Sequence, residues 1–419
     1  MRIYKVGGAV RDQLLGLESM DNDWVVVGST PKEMLSMGYT QVGKDFPVFL
    51  HPETKEEYAL ARKERSIGPG HTAFNFSYSP NVTLEEDLSR RDITINAIAM
   101  DDSGNLIDPF NGKDDLKNKT IRHVSDAFIE DPLRVLRVAR FYSKLAPLGF
   151  KIEQSTETLL TDLIPSIVHL PGERIWQEIQ KVLNSKNPLP FFELIWMLAY
   201  RSGFYSLHFE YTEPFHKETN PVYYKETNFW PHILPRGPAG TQFWEPEYFF
   251  MHRFSGPSWE DGVCIEPDHL RLNPGLNSAE SWWAIIGMIV KNRSLLDGLN
   301  DRFRVPKSYR KMSELVYDFR ETYFKEYADL SFEKKVQVLY KNLEKINPSK
   351  SHDYALDIVY LAAHNILRSS ILSWEPFIQG YAQIIPSEDE KKLKGQEIKK
   401  ILKDKKIKFI EEELKKDLD

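Results

Sequence analysis

The first two dozen residues constrain this chain most. An apolar run from Ile3 to Val6 meets the stretch G-G-A-V-R-D, and a short helix is predicted from Ala9 to Leu15. D-N-D follows at 21–23, directly before the apolar run Trp24–Val27. A strand that turns through two glycines into a helix and returns as a second strand predicts an α/β layer. Gly7 and Gly8 let backbone approach a bulky anion, and the helix start adds free N–H groups. Arg11 and Asp12 fall in that helix's first turns. Residues two apart on a strand share a face, so Asp21 and Asp23 would point their carboxylates to one side, as a pair of Mg²⁺ ions requires. Each half has a plainer reading, an ordinary turn and a solvated loop. Their order and closeness favour phosphate chemistry.

The chain has 419 residues, enough for two or more domains. Its single cysteine, Cys264, excludes a disulfide framework and suits a reducing, cytoplasmic setting. No signal peptide and no apolar run of membrane-spanning length is read, so no membrane partner is expected. A formal net charge of −6 argues against nucleic-acid binding over the whole surface, while leaving room for a basic cleft.

Residues 1–116 read as α/β, with strands at Ile3–Val6, Trp24–Val27, Val48–Leu50, Tyr58–Ala61 and Ile107–Asp108, and a helix at Pro31–Met37 capped by Ser29 or Thr30. Glu57 precedes one of these strands and is a candidate third metal ligand, or else one member of a charged hairpin. Gly68–Phe76 has the composition of a flexible loop. In E-E-D-L-S-R-R-D-I-T-I-N-A, Leu88, Ile93, Ile95 and Ala97 read as buried, and an arginine here would fork onto a triphosphate with Asp92 orienting it.

From Lys117 the pattern turns helical. D-A-F-I-E-D-P-L-R-V-L-R-V-A-R-F spans Asp126–Phe141, with Leu133, Val135, Leu136, Val138 and Ala139 as its apolar stripe. Arg134, Arg137 and Arg140 recur every third residue beside Asp131. They read as a structural salt-bridge ladder or as ligand contacts. Cytosine and adenine share an amino donor beside a ring-nitrogen acceptor, so Asp131 with Arg134 would take C and A and reject G and U. Arg137 and Arg140 would then be left for phosphates.

Together G-G-A-V-R-D, D-N-D, R-R-D-I-T-I-N-A, E-D-P-L-R-V-L-R-V-A-R-F and G-E-R-I-W-Q-E resemble the class II tRNA nucleotidyltransferases, the bacterial CCA-adding enzymes, over about the first 185 residues. The resemblance implies a polymerase-β-like α/β nucleotidyltransferase head followed by all-α neck, body and tail domains, here 1–116, 117–185, 186–310 and 311–419. It implies addition of C, C and A to tRNA 3′ ends with CTP, ATP and two Mg²⁺ ions. Asp21 and Asp23 would bind the metals, and Gly8, Arg11, Arg91, Arg137 and Arg140 would contact the nucleotide. Asp131 and Arg134 would read the base, and Glu173 and Arg174 would brace the neck. A monomer or weak homodimer is expected. Partial-activity relatives (A-adding, CC-adding or poly(A)-polymerase-like) and an inactive RNA-binding homologue are the alternatives.

Beyond about Asn184 the resemblance thins. Relatives carry a phosphohydrolase domain with a His-Asp pair on a helix. In S-W-W-A-I-I-G-M-I-V-K-N, aligned on Ala284, Met288 and Ile289 replace that pair, so no phosphohydrolase activity is expected. Residues 204–268, rich in Trp, Tyr, Phe and Pro, read as an irregular insertion packed on helices or as an aromatic platform for unpaired bases. The tail shows a lysine-rich helix with an apolar seam at Leu393, Ile398, Ile401, Leu402, Ile407 and Ile410.

Overall fold

A computed structural model describes residues 1–18, 22–42, 48–66, 74–202, 278–289, 293–325, 330–363 and 374–416. Asp21, Gly68–Gly70 and the aromatic-rich 204–268 region lie outside the described residues. The chain divides into two compact units, Met1–Phe229 and Trp230–Asp419.

The first unit opens with β1 (Arg2–Val6), α1 (Gly8–Leu14), β2 (Asp23–Val27), α2 (Pro31–Ser36), β3 (Thr40–Val42), β4 (Val48–Leu50) and β5 (Glu57–Leu60). Thr30 starts α2 with a full capping box to Glu33, which settles the choice between Ser29 and Thr30. β6 (Arg62–Ser66), β7 (Phe74–Tyr78), α3 (Leu84–Ser89), β8 (Ala99–Met100) and β9 (Leu106–Ile107) follow. Seven of these strands form one sheet in the order β3-β4-β5-β2-β1-β8-β9. Its β2–β5 pair is parallel and sets Asp23 beside Glu57.

Alternation along β2 fills both faces of this sheet. Val25 and Val27 pack with Leu88 and Ala97 on one side, while Val26 packs with Phe49, Leu60 and Met34 of α2 on the other. Asp23 shares the parity of Val25, which puts it at the end of the Leu88 side. Glu57 shares that parity through its pairing, whereas the next residue, Tyr58, stacks on Trp24 at 5.5 Å. The end of the loop-like 68–76 stretch is strand instead. β7 begins at Phe74 and pairs antiparallel with β6, from Ser66↔Phe74 to Arg62↔Tyr78. The polar R-K-E-R-S of β6 shows no apolar alternation to reveal it.

Then come α4 (Gly112–Lys117), β10 (Thr120–Ile121), α5 (Leu133–Leu145), β11 (Lys151–Ile152), α6 (Gln154–Leu163), α7 (Gly172–Leu183) and α8 (Leu189–Arg201). A two-residue parallel pair, β10 with β11, is set into this helical region. The apolar stripe of α5 is buried as its periodicity predicts, and α5 and α7 pack side by side.

The described part of the second unit is helical. Helices Lys307–Phe319, Phe332–Ile346, His352–Ala363 and Trp374–Ala382 enclose a core that includes Met312, Leu343, Ile358 and Tyr381. Ala279–Ile289 is a helix carrying the positions aligned with the His-Asp pair. Helix Gly395–Lys416 buries Ile410 and Leu414, but Leu393 is exposed, so the predicted seam docks only towards its C-terminal end. No helix among the described residues is long and apolar enough to cross a membrane.

α4 lies hard against the T-I-N turn at 94–96. A Cβ on Gly112 would stand 2.3 Å from the Thr94 carbonyl oxygen and 2.8 Å from Ile98. Backbone cannot retreat as a side-chain tip can. Gly112→Ala is expected to destabilise the protein by about 3 kcal/mol, read as a lower thermal midpoint. Gly395→Ala, where a Cβ meets nothing within 4 Å, should leave the midpoint within about 2 °C. Equal midpoints for both variants would contradict this packing.

Candidate active site

Gly7 has φ +74°, a left-handed conformation that favours glycine, and β1 turns there into α1. A Cβ at Gly7 would lie 3.1 Å from Arg91 Nη1 and 3.5 Å from Asp23 Oδ2. A guanidinium and a carboxylate therefore converge on this turn, beside the Asp23–Glu57 strand pair. The hollow at this end of the sheet is lined by Asp23, Glu57, Arg62, Arg90 and Arg91, over a floor that includes Val6 and Val25. Hard carboxylate oxygens and several cations are the donor set that a magnesium–triphosphate complex needs. Asp23 and Glu57 fit such a cation. The expected partner Asp21 lies outside the described residues. Among the described residues, no group of three acidic, His or Cys side chains is gathered as a metal site.

The arginines divide into two sets. Arg91 donates to Asp87 Oδ2 and to the Asn96 carbonyl oxygen, both at 3.4 Å, and Arg90 pairs with Asp87 at 2.7 Å. Asp87, not Asp92, holds Arg90 and Arg91, because it lies three and four residues before them at α3. Burial opposes ionisation of Asp87, yet the two guanidiniums hold its carboxyl below the ordinary range. Asp92 instead accepts from Arg137 Nε at 2.9 Å, from Asn96 at 3.1 Å and from the Ile93 N–H. Burial would raise this carboxyl, but Arg137 and those donors bring it down to about 2.

Arg11 is only 3% exposed, and every nitrogen of its guanidinium is engaged. Nε and Nη2 donate to Asp12, Nη1 donates to Asn96 at 2.8 Å, and the group lies over the Phe141 ring. A Cβ on Gly8 would come within 3.3 Å of Nη2, so Arg11 underlies the glycine turn. Arg134 is also buried, donating to the carbonyls of Ala127 and Arg90 at 2.6 and 2.7 Å. Asp131 receives Arg174 through both oxygens, at 2.9 and 3.3 Å. The side chains of Asp131 and Arg134 are thus each joined to other groups, and Arg174 ties α7 to the start of α5. Glu173 is also engaged with neighbouring groups.

Arg137 and Arg140 differ. Arg140 Nε donates to Glu178 at 2.6 Å, and Lys144 on the same helix donates to Asp12 at 2.7 Å. Residue periodicity did not single out Glu178, Asp12, Asn96 or Phe141 as partners of these cations. Glu178 closes the G-E-R-I-W-Q-E motif, the one signal that could have found it.

The depressed Asp92 carboxyl makes a pH prediction. Its folded value lies below the unfolded one, so its stabilisation is present above about pH 4 and is lost as pH falls towards 2. Asp92→Asn should be less stable than wild type by about 2 kcal/mol at pH 7, with the difference shrinking below pH 4 in urea unfolding. A difference independent of pH would contradict this.

Residues 3–122 match the Poly A polymerase head domain, and residues 149–199 match the probable RNA and SrmB-binding site of polymerase A. The chain is 61% identical over 197 residues to a multifunctional CCA protein of Vibrio parahaemolyticus, covering 46% of this chain and 48% of that one. It is 54% identical over 224 residues to a multifunctional CCA protein of Haemophilus influenzae, covering 53% of each. The chain therefore spans about half the length of these curated relatives. In fold it is similar to a CCA-adding enzyme in apo form II, with TM-score 0.61, 19% identity and coverage of 98% of this chain and 88% of that one. It is also similar to the Bacillus stearothermophilus CCA-adding enzyme in complex with CTP, with TM-score 0.56, 22% identity and coverage of 95% and 82%. The head-type sheet and the helices after it thus coincide with the two matched regions, residues 3–122 and 149–199, over which the chain is similar to the poly(A) polymerase head and its RNA-binding site.

Proposed function

We propose that the chain is a CCA-adding tRNA nucleotidyltransferase that builds or repairs the 3′ end of tRNA from CTP and ATP. The observation that carries this reading is the convergence of Asp23 and Arg91 on Gly7, beside Glu57, at one end of the sheet. The names of the multifunctional CCA proteins and of the solved complexes with CTP and ATP support the substrate class.

Asp21 and Asp23, with Glu57 as the candidate third ligand, would hold Mg²⁺, which when bound neutralises triphosphate charge and makes the tRNA 3′-hydroxyl more acidic. The protein's own share is positioning. Gly7 and Gly8 leave space for the triphosphate, and Arg91, Arg137 and Arg140 orient it. The 3′-hydroxyl loses its proton to solvent, its oxygen bonds to the α-phosphorus as the bond to the bridging oxygen of the β-phosphate breaks, and pyrophosphate departs. Asp131 and Arg134 would read the amino group and ring nitrogen of C or A, exchanging Arg174 and the Ala127 and Arg90 carbonyls for the base edge. Arg11 acts from beneath the turn. Residues 1–116 serve as head and 117–185 as neck, and helices of 186–310 and 311–419 carry the RNA.

The test is extension of tRNAs ending before the first C, after the second C and after the A, with CTP and ATP offered separately. Completion of CCA without further tailing is expected. Addition of A alone, C alone or an A-tail would replace this reading with a partial-activity relative, and no addition would leave an inactive homologue. Asp23→Ala should lower incorporation by at least roughly 100-fold, the upper end of what loss of a partner around a metal ligand costs. Wild-type turnover in that variant would remove Asp23 from the reaction.

A further inference from the structure

Arg137, Arg140, Phe141 and Lys144 share one face of α5, at the spacing i, i+3, i+4 and i+7. Each cation is held by one carboxylate, and the three carboxylates come from three separate places. Asp92 precedes the turn at 94–96, Glu178 lies on α7 and Asp12 on α1. All three acids are buried, at 3–5% exposure. A buried ion pair is commonly no better for stability than apolar packing of the same volume. Stability alone therefore gives no reason for three of them on one helical face.

The way Arg140 is held is informative. Glu178 takes its Nε at the stem, and the Phe141 ring lies 4.3 Å from the guanidinium carbon. Among the described residues, neither terminal nitrogen of Arg140 has a hydrogen-bond partner. A guanidinium fixed by its stem and flat face presents a planar fork, which matches two oxygens of a phosphate. Lys181 donates to the other oxygen of Glu178 at 3.2 Å, which keeps the carboxylate from turning away. Arg11, lying over the same ring, has each of its three guanidinium nitrogens already engaged once within the protein.

We propose that Glu178, with Phe141, is a positioning residue for nucleotide binding that aims the Arg140 fork at the triphosphate oxygens. This rests on the reading that Arg140 contacts the triphosphate. It assigns the last acid of the G-E-R-I-W-Q-E motif to substrate binding through a partner, beyond its part in helix packing. Loss of Glu178 should weaken CTP and ATP alike, because the fork meets phosphate and not base.

The test is CTP binding to the full chain by titration calorimetry, with steady-state kinetics on a tRNA lacking its CCA end. Wild type is compared with Glu178→Gln, Phe141→Leu, Arg140→Ala and the Glu178→Gln/Arg140→Ala pair. Glu178→Gln should raise Kd and KM for CTP and for ATP roughly tenfold while kcat moves far less. Phe141→Leu should shift both in the same direction. Adding Glu178→Gln to Arg140→Ala should cost nothing further, since its target is already gone. If Arg140→Ala weakens CTP but Glu178→Gln and Phe141→Leu bind it as wild type does, with only a lower Tm, the positioning role is overturned and the Arg140 reading stands. Additive losses in the double variant would also overturn it. Wild-type CTP affinity in Arg140→Ala overturns both.

Discussion

Charge pairing along one face of α5 is what the architecture of the first unit depends on. Asp12 ties that face to the glycine turn, Asp92 ties it to the R-R-D-I-T-I-N-A segment, and Glu178 ties it to α7. The sheet alone would leave Asp23 and Glu57 at its end with no fixed relation to the arginines of a helix more than a hundred residues later. Buried carboxylates supply that relation because each is costly to leave unpaired, so each specifies one partner in one place. Asp92 illustrates the strength of this demand: its carboxyl is held down to about 2 despite its burial.

A second layer of the same principle operates at the head. Asp87, buried at the end of α3, grips Arg90 and Arg91 while also accepting the Arg62 N–H. One acid therefore registers a strand, a helix and two cations at the hollow. The positive φ of Gly7 then lets the Arg91 guanidinium and the Asp23 carboxylate approach the same point of backbone. Acids of the fold hold these cations, and this is how like charges can be gathered before any phosphate arrives to neutralise them.

Much of this was legible in the residues. The stripe of α5 follows from period 3.6, the strands around Asp23 follow from apolar runs between glycines, and the order of the motifs carried the family resemblance. Illegible features were short or non-local. The β6–β7 hairpin is polar, and β10 and β11 are two residues each, below any useful pattern. Partner choice was the hardest. Asp131 sits one turn from Arg134, yet its side chain takes Arg174, 43 residues away, while Asp92 sits beside Arg91 and takes Arg137. Sequence nearness predicts which charges are available, whereas packing of α5 against α7 and the 94–96 turn decides which of them meet.

In the proposed mode of binding, α5 presents pre-held guanidinium groups to the substrate. The most direct measurement is a crystal structure of the full chain with CTP. The triphosphate oxygens are expected within hydrogen-bond distance of the Arg140 terminal nitrogens and of Arg137, with Glu178 still accepting from Arg140 Nε. A triphosphate bound away from α5, or an Arg140 that abandons Glu178 to reach it, would contradict this mode of binding.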